Sequence, residues 1–340
     1  MTRVQGQSIG RELPTASAGE APRATVVGSY VELTKPGIVK MVLLAAGVGY
    51  VLGVRSMTTA EVSPSGTGFL VAGLFGMIGT ALSAGGANAL NMALEPHRDA
   101  KMARTADRPV PSGRIATKHA MAFGLALSVL GVATLAIGAS VAAALVCAAI
   151  IVSYAAMYTP LKPLTTLSTL VGAAPGALPS LVGWCCATAA FAGKAPWYGG
   201  LTDAGGWSLV ALMFVWQVPH VMAISWKYRE QYAAGGYRVL PSIDPDGRRT
   251  GMAALVWSLA LVAVSLVPIG ALQQDGVPMV GMLYGVVAVL AGGLMVWTSL
   301  KLYQRRDDGA AKALFIASIV YVPIVMFALV ADAFAPAVLS

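Results

Sequence analysis

Residues 91–114 read NMALEPHRDAKMARTADRPVPSGR and form the most charge-dense run of a 340-residue chain. The run begins inside one hydrophobic segment and ends just before another. Asn91, Glu95 and Asp99 recur at every fourth position, so a helix continuing through them would present all three on nearly one face. Carboxylates in a membrane helix are costly and usually serve a function. The cations that follow suit an anionic ligand: Lys101, Arg104, Arg108 and Arg114.

Composition indicates a polytopic membrane protein. Hydrophobic residues make up 57% of the chain and charged residues 11%, whereas soluble domains average about 25% charged residues. The three cysteines lie in apolar runs, which predicts packing roles and no disulfide framework. A spanning helix needs about 20 mainly apolar residues, and an all-α bundle of nine transmembrane helices is predicted. Their ranges are roughly 36–54, 67–94, 117–137, 140–158, 166–192, 207–226, 251–272, 278–300 and 313–335.

Basic residues are distributed unevenly between the two sides of this bundle. If the N-terminus is inside and the spans alternate, all of the 23 Lys and Arg except Arg55 and Lys194 lie inside. The positive-inside rule then predicts a cytoplasmic, or matrix, N-terminus and a C-terminus on the far side. The net charge of +8 follows from this rule and from anionic lipid on that face. Nucleic acid is a poor alternative partner, because the basic residues are divided among short loops.

Residues 1–28 are polar and are interpreted as a disordered cytoplasmic tail, followed by one membrane domain over 29–340. The tail contains no apolar segment typical of a cleaved secretory signal. Glu12 and Glu20 also argue against a mitochondrial transit peptide. Whether the membrane is bacterial or organellar stays open at this point, and a bacterial cell (inner) membrane is the favoured interpretation.

The acidic positions of the opening run fit half of a magnesium site. Mg²⁺ takes a few carboxylate oxygens and keeps its other positions for water and phosphate. The alternative interpretation is an ordinary helix end, at which the acids pair with Arg98 and Lys101. Pro96 lacks a backbone donor, so the regular helix should kink or end directly after Glu95.

Several cations on the same side as these acids are candidates for binding a diphosphate. Arg104 and Arg108 can bind its oxygens through paired donors, or they serve only to set the topology. Lys162 lies between two spans and either reaches a diphosphate or snorkels to the interface. The next span contains GAAPGALPSLVGW at 172–184, whose prolines and glycines predict a distorted helix, closely packed or lining a substrate cavity.

A second charged loop, KYREQYAAGGYRVLPSIDPDGRR at 227–249, follows the sixth span. It lies on the same side as the first run, so the two loops are expected to close over one cavity. Just before it, the sixth span contains Trp216 and His220. A histidine inside a membrane tends to face the bundle interior. The open alternatives for His220 are a hydrogen-bonded core residue, an iron ligand or a proton carrier.

Together these segments resemble the UbiA-type intramembrane prenyltransferases, and among them the branch that farnesylates heme. The acidic motif alone matches only the superfamily, whereas the Arg-Thr-x-x-Arg-Pro, Pro-His and Tyr…Gly-Gly…Leu-Pro segments point to the heme branch. The resemblance runs from about Tyr30 to the last helix. It is carried by Tyr30…Leu-Thr34-Lys35-Pro36, Asn91-x3-Glu95-x3-Asp99 with Arg104-Thr105-x2-Arg108-Pro109, Tyr158-Thr-x-Leu-Lys162, Gly176-Ala-x-Pro179-x3-Gly183-Trp184, and Pro219-His220…Tyr232-x2-Gly235-Gly236…Leu240-Pro241.

The resemblance implies a bundle around a central cavity that opens laterally to the lipid bilayer. It implies farnesyl diphosphate as donor, heme B (protoheme) as acceptor and Mg²⁺ as cofactor. It also points to heme A synthase or terminal oxidase assembly factors as candidate protein partners. An acceptor such as an aromatic quinone precursor or a chlorophyllide-like ring is the alternative within this class. Outside enzymes, the alternative is a transporter, whose site would lie near the midplane.

The resemblance also implies roles for individual residues. The residues expected to act in catalysis are Asn91, Glu95, Asp99, Tyr158 and Lys162. Those expected to bind diphosphate are Lys35, Lys40, Lys101, Arg104, Arg108 and Arg229. Those expected to contact heme are Trp216 and His220, and those expected to hold the metal are Asn91, Glu95, Asp99 and Glu230.

Two positions depart from the family pattern. The family usually has Asp directly before the tyrosine of the second charged loop, where this chain has Gln231. Either Glu230 takes over that metal contact, or the second half of the metal site is weaker. An arginine often found after Lys-Pro in the first span is Gly37 here, which leaves Lys35 and Lys40 nearby.

Overall fold

The computed structural model describes residues 25–59, 61–191, 197–271, 273 and 276–335. Within them, nine helices are long and apolar enough to cross a membrane, which confirms the predicted fold class. Most of the predicted tail lies outside the described residues, and its last three residues, 26–28, begin the first helix. The helices are α1 (Val26–Leu33), α2 (Pro36–Met57), α3 (Gly66–Leu94), α4 (Pro96–Asp99), α5 (Thr117–Gly138), α6 (Val141–Leu161), α7 (Ser168–Phe191), α8 (Ala204–Lys227), α9 (Arg229–Ala234), α10 (Arg248–Gly270), α11 (Met282–Arg305) and α12 (Asp308–Ala333).

Each predicted span coincides with one of the long helices, with ends that differ by a few residues. The largest differences occur where α11 ends, at Arg305 instead of residue 300, and where α12 begins, at Asp308 instead of residue 313. Asp307 caps this helix, because its carboxylate accepts a hydrogen bond of 2.6 Å from the amide of Ala310. The polar first turn of α12 is therefore helical, although its low hydropathy kept it out of the span predicted from sequence.

Glycines allow the central helices to approach one another closely. A Cβ on Gly183 of α7 would lie 1.8 Å from the carbonyl oxygen of Ala46 in α2, and one on Gly49 of α2 would lie 1.9 Å from that of Ser180. Membrane helices gain stability from such close backbone packing, since burial of apolar groups supplies little driving force in lipid. The α2–α7 pair thereby forms a rigid centre for the bundle. The three cysteines are buried and free, as predicted.

Two spans depart from regular α-helix where they border the interior. In α7 the regular hydrogen-bonding pattern is interrupted at Leu178, between Pro175 and Pro179, which confirms the predicted distortion. In α6 the segment Ser153–Tyr158 is a π-helical turn, a feature that is common at functional sites. This turn stacks Tyr154 on Tyr158, with ring centroids 5.4 Å apart.

Three loops gather on one side of the bundle, which is called the charged face below. They are the first loop (residues 95–116), the second loop (162–167) and the third loop (228–247). The backbone amide of Arg238 in the third loop donates to the carbonyl of Lys162 in the second, at 2.9 Å. Arg114 of the first loop pairs with Glu32 of α1 at 2.8 Å, so the short helix α1 borders the same face.

Candidate active site

A cavity of about 370 Å³ lies beneath the three loops, between α2, α3, α6, α7 and α8. Its walls are mostly apolar, and its charged lining comes from residues at the charged face. These residues are Lys35, Glu95, Asp99, Arg104, Arg108 and Lys162. Four basic residues face two carboxylates here, so positive charge exceeds negative charge at the rim. A cleft with this sign of charge and low-dielectric walls concentrates anions.

Asn91 and Glu95 form the centre of the rim. Asn91 is in the last turn of α3, and its Nδ2 donates to Oε2 of Glu95 at 2.7 Å and to the hydroxyl of Thr159 at 3.0 Å. Lys162 pairs with the same Glu95 oxygen at 2.7 Å. Lys35 donates to Oδ1 of Asn91 at 2.8 Å. The predicted acidic, amide and lysine positions from three separate segments therefore meet at one point.

Asp99 reaches the same rim although the regular helix ends before it. The chain breaks at Glu95, as Pro96 predicts, and continues as the short helix α4. The amide of Asp99 donates to the carbonyl of Glu95 at 2.9 Å, which keeps the two acids close. The carboxylate of Asp99 is 2% exposed and pairs with Arg108 at 2.8 Å. The hydroxyl of Thr105 donates to the Asp99 carbonyl at 2.7 Å.

The oxygen atoms of this acidic set fit a divalent cation. Glu95 is 7% exposed, and its Oε1 is buried without a hydrogen-bond partner in the described part of the chain. A buried acceptor without a donor is costly, and carboxylate oxygens of this kind are the ligands that Mg²⁺ prefers. No group of three or more His, Cys, Asp or Glu suited to a metal occurs among the described residues. The site instead offers two carboxylates, those of Glu95 and Asp99, and the amide of Asn91. This smaller set leaves coordination positions of the metal for water and phosphate.

The third loop is clamped over the first through Arg104. The guanidinium of Arg104 lies 4.8 Å from the ring centroid of Tyr228 and 4.7 Å from that of Tyr232. The backbone amide of Arg104 donates to Oε1 of Gln231 at 3.2 Å. Each of these contacts joins the two loops. Gln231, which stands where the family usually has Asp, therefore links the two loops through an uncharged side chain.

Tyr237 closes the site from the far end of the third loop. Its ring centroid lies 5.6 Å from Nζ of Lys162 and 5.7 Å from the guanidinium carbon of Arg98. Arg98 donates to the carbonyl of Gly235 at 3.3 Å, so the alternative in which it pairs with the acids is wrong. Burial and the negative charge of Glu95 raise the pKa of the Tyr237 hydroxyl. Tyr237 therefore stays neutral and can donate a hydrogen bond towards the cavity.

Lys35 is held in an unusual backbone conformation. Its φ is +51°, in the left-handed region that non-glycine residues rarely adopt and that often marks functional positions. Burial and the neighbouring positive charges of Arg108 and Lys162 lower the pKa of Lys35 to about 7. Its ammonium group donates to Asn91, so Lys35 is part of the rim.

The structure places two of the predicted residues in a separate depression, so their assigned roles stay predictions without support from the cavity. Arg229 and Glu230 line a pocket of about 400 Å³ on the other side of α9. Arg229 pairs there with Asp308 at 2.8 Å. Successive residues of a helix point about 100° apart, so Gln231 faces Arg104 whereas Glu230 faces away. Glu230 therefore does not share the site of Glu95, and Arg229 does not line the cavity.

Lys40 and Lys101 are also absent from the cavity lining among the described residues. Lys40 is exposed on the outer side of α2, and Lys101 is exposed just after α4. Their assignment as diphosphate contacts stays a prediction.

Trp216 and His220 face α12 and do not line the cavity. The ring of His220 is stacked between Trp216, at 5.0 Å, and Phe315, at 5.3 Å. Its Nδ1 lies 2.8 Å from the hydroxyl of Ser318, and the indole of Trp216 donates to the Ser318 carbonyl at 2.8 Å. Of the interpretations left open for His220, the hydrogen-bonded packing residue is the one that these contacts match.

Two cavity residues were missed by the sequence analysis. Tyr237 follows a Gly-Gly pair in a loop, where an aromatic residue gives no signal of its own. Gln217 lies between Trp216 and Val218 in α8 and points into the cavity. An uncharged amide in an apolar span is a recognisable signal, because polar groups in a membrane are expensive.

The sequence is similar to a known protein family and to named relatives. The pattern of the UbiA prenyltransferase family matches residues 42–327. A protein named protoheme IX farnesyltransferase, from Solibacter usitatus (strain Ellin6076), is 39% identical over 296 residues, which cover 87% of this chain and 95% of that relative.

Solved structures have a similar fold at much lower sequence identity. A structure described as that of a digeranylgeranylglyceryl phosphate synthase aligns with a TM-score of 0.70 and 14% identity, covering 92% of this chain and 99% of the other. A UbiA homolog from Archaeoglobus fulgidus bound to GPP and Mg²⁺ aligns with a TM-score of 0.55 and 16% identity, over 89% and 99% of the two chains. At these identities the similarity concerns the fold.

Proposed function

This chain belongs to the UbiA prenyltransferase family, and we propose that it transfers the farnesyl group of farnesyl diphosphate to a vinyl group of protoheme IX. The products are hydroxyethylfarnesyl heme (heme O) and diphosphate. The observation that carries this proposal is the buried pair of Glu95 and Asp99, set among four cations at the mouth of an apolar cavity. The name of the 39% identical relative supports the choice of substrates.

The metal is proposed to be Mg²⁺, held by Asn91, Glu95 and Asp99 against the diphosphate. The unpartnered Oε1 of Glu95 supports this assignment, as does the description of the Archaeoglobus homolog, whose Mg²⁺ accompanies GPP. When bound, Mg²⁺ supplies positive charge that stabilises the diphosphate as a leaving group.

The protein's own cations complete the neutralisation of the diphosphate. Lys35, Arg108 and Lys162 bond to the acidic set at 2.8, 2.8 and 2.7 Å. Because the protein itself holds these cations, stabilising the departing charge should require little reorganisation. Arg104 reaches the rim from the first loop and is fixed by two tyrosine rings of the third. These contacts support the proposal that donors surround a bound diphosphate on several sides.

The apolar wall of the cavity is proposed to hold the farnesyl chain. Breaking the C1–O bond of an allylic diphosphate leaves an allylic cation, which water would otherwise quench. The terminal carbon of a heme vinyl group forms the new bond to farnesyl C1. The remaining cation on the neighbouring carbon then bonds to the oxygen of water, whose proton passes to the released diphosphate.

Trp216 and His220 lie on the α12 side of α8, outside the cavity lining, and are proposed to contact a part of the heme remote from the vinyl group that enters the cavity. The imidazole of His220 is half-buried and uses Nδ1 towards Ser318, so a contact with heme would use its other edge. His220→Ala should weaken heme binding, measured by the shift of the heme absorbance band, and should leave farnesyl diphosphate affinity intact. Unchanged heme affinity would remove His220 from the acceptor site.

The orientation in the membrane follows from the charge asymmetry. We place the charged face in the cytoplasm of a bacterial cell and the C-terminus on the far side of the inner membrane. Heme A synthase or a terminal oxidase assembly factor would then receive the product. A transporter is disfavoured, because the charged residues lie at helix ends on one face and a transport site lies near the midplane.

The experiment that tests the proposed function uses purified protein with protoheme, farnesyl diphosphate and Mg²⁺. The expected product is heme heavier by one farnesyl group and one hydroxyl group, formed together with diphosphate. If a prenylated product forms only with another aromatic or tetrapyrrole acceptor, that acceptor would replace protoheme as the proposed substrate. Binding of farnesyl diphosphate without any diphosphate release, across these acceptors, would reject prenyl transfer.

A further inference from the structure

Gln217 is a polar side chain of the cavity that the steps above do not use. It lies in α8, ten residues before the end of that helix at Lys227. Two glycines of α7 locate it relative to the rim. A Cβ on Gly172 would meet the ring of Tyr158, and a Cβ on Gly176, one turn deeper, would meet the amide of Gln217. Because four residues of α-helix rise about 6 Å, Gln217 lies about one turn below Tyr158.

Tyr158 marks the level of the diphosphate site. Its ring centroid lies 4.6 Å from Nζ of Lys162, which in turn pairs with Glu95 at 2.7 Å. An allylic diphosphate that is bound by the rim extends its first carbons downward from this level. Gln217 therefore borders the part of the cavity in which C1 of the farnesyl chain and the attacking vinyl group would meet.

The orientation of the Gln217 amide leaves its oxygen available to a ligand. Nε2 donates to the carbonyl of Met213 at 3.2 Å, which turns Oε1 away from the helix. Within the described residues no group donates a hydrogen bond to Oε1. A Cβ on Gly176 would lie 2.2 Å from this oxygen, so the glycine provides the space that the amide occupies. The result is an acceptor oxygen in a cavity whose walls are mostly apolar.

Other polar residues of the lining are less suited to this position. The hydroxyl of Ser83 points to α5, since a Cβ on Gly131 would lie 2.2 Å from it. Asn88 uses its Nδ2 to donate to the carbonyl of Thr34 at 3.0 Å, near the charged face. Tyr154 lies about one turn below Tyr158 and is stacked on it, and it presents a hydroxyl group, which is a donor as well as an acceptor. Gln217 differs from these residues because it presents an amide oxygen without a hydrogen-bond donor.

We infer that Oε1 of Gln217 accepts a hydrogen bond from the water molecule that becomes the hydroxyl group of the product. This inference rests on the proposed function, in which the vinyl terminus bonds to farnesyl C1 as the C1–O bond breaks. The neighbouring carbon is then a cation, and the water oxygen bonds to it. The amide holds and orients the water, and the released diphosphate takes the proton, since an amide is too weak a base.

The test depends on what happens to the cation when Gln217 does not hold a water molecule beside it. The cation can lose a proton from the adjacent CH₂ group, again to diphosphate, which gives an alkene that lacks the elements of water. Loss of the acceptor should therefore change the identity of the product. A purely structural defect would instead lower the yield of an unchanged product.

The experiment compares the wild-type protein with Gln217→Leu and Gln217→Glu in water enriched in ¹⁸O, and the heme products are weighed. Gln217→Leu should raise the ratio of alkene to hydroxylated product at least tenfold. Gln217→Glu keeps an acceptor oxygen and should restore the labelled hydroxyl. Val221→Ala, which alters the same wall without removing a polar group, should keep the hydroxylated product whatever its rate.

Each other outcome decides against the inference or against its premise. An unchanged product ratio in Gln217→Leu overturns the role of Gln217. So does loss of farnesyl transfer with normal farnesyl diphosphate binding, because bond formation precedes water addition. If Gln217→Leu no longer binds farnesyl diphosphate, Gln217→Met keeps the side-chain length and the same criteria apply to it. Absence of any farnesylated heme from the wild-type protein rejects the proposed function itself.

Discussion

The first and third loops are both long and charged and lie on the same face, yet they contribute differently to the site. The first loop sends Glu95 and Asp99 into the cavity, where both are buried. The third loop turns its three acids, Glu230, Asp244 and Asp246, to the outer pocket, and Gln231 contacts the first loop instead. We therefore expect the acidic ligands to come from the first loop only. The third loop covers the charged rim with the uncharged side chains of Tyr228, Gln231 and Tyr232.

The largest expected effect is the loss of an acid from the first loop. Glu95→Gln should lower the rate of farnesyl transfer by about 10³-fold, the upper range for removing one group that stabilises developing charge. The measurement is product formation at saturating heme, farnesyl diphosphate and Mg²⁺. Glu230→Gln is the matched control and should change the rate by less than about fivefold, as for an exposed charge. Equal losses in the two variants would show that both loops supply acids.

Next in size is the loss of a cation that connects the second loop to the first. Lys162→Met should weaken farnesyl diphosphate binding by about 10²-fold, since a charge-assisted bond is removed and Glu95 loses its partner. Titration calorimetry with a non-hydrolysable thiodiphosphate measures this change. The exposed Lys101→Met serves as the control, and its affinity should stay close to that of the wild type. A normal affinity in Lys162→Met would instead favour the snorkelling role.

A smaller effect is expected from loss of the hydrogen bond between Gln231 and the amide of Arg104. Gln231→Leu removes one neutral hydrogen bond to the amide of Arg104, so it should weaken thiodiphosphate binding by about fivefold to tenfold. Hydrogen exchange of the third loop should increase in parallel. Gln231→Glu keeps the acceptor oxygen and should retain slow exchange. Faster exchange in both variants would mean that the acceptor oxygen of residue 231 is not what holds the third loop against the first.

The smallest effect is expected in the outer pocket of the third loop. Arg229→Ala breaks a partly exposed pair with Asp308, which should cost less than about 1 kcal/mol of stability. A thermal-shift assay measures the stability, and the affinity for thiodiphosphate should not change. A clear loss of affinity would return Arg229 to the diphosphate site.

The long helices and the side on which their loops gather could be derived from sequence, because hydropathy and charge asymmetry are summed over many residues. Pro96 also gave the break after Glu95, since a missing backbone donor has the same effect in any context. The meeting of Lys35 and Lys162 at this break followed from the family resemblance. These predictions depend on segment positions and tolerate an error of several residues.

Side-chain direction could not be derived in the same way. Glu230 and Gln231 are adjacent, and the choice between the cavity and the outer pocket depends on the start of a six-residue helix. His220 and Gln217 are both polar residues of α8, yet they face α12 and the cavity respectively. A rotation of about 100° per residue separates such neighbours, and only the packing of other helices fixes its phase. Gly176 is part of that packing, because it leaves the space that Gln217 fills.

The most direct test of the account is a structure with farnesyl thiodiphosphate and Mn²⁺, in which anomalous scattering locates the metal. The account predicts Mn²⁺ beside Glu95 and Asp99, with the farnesyl chain in the cavity below them. Mn²⁺ in the outer pocket beside Glu230, or a farnesyl chain outside the cavity, would contradict it.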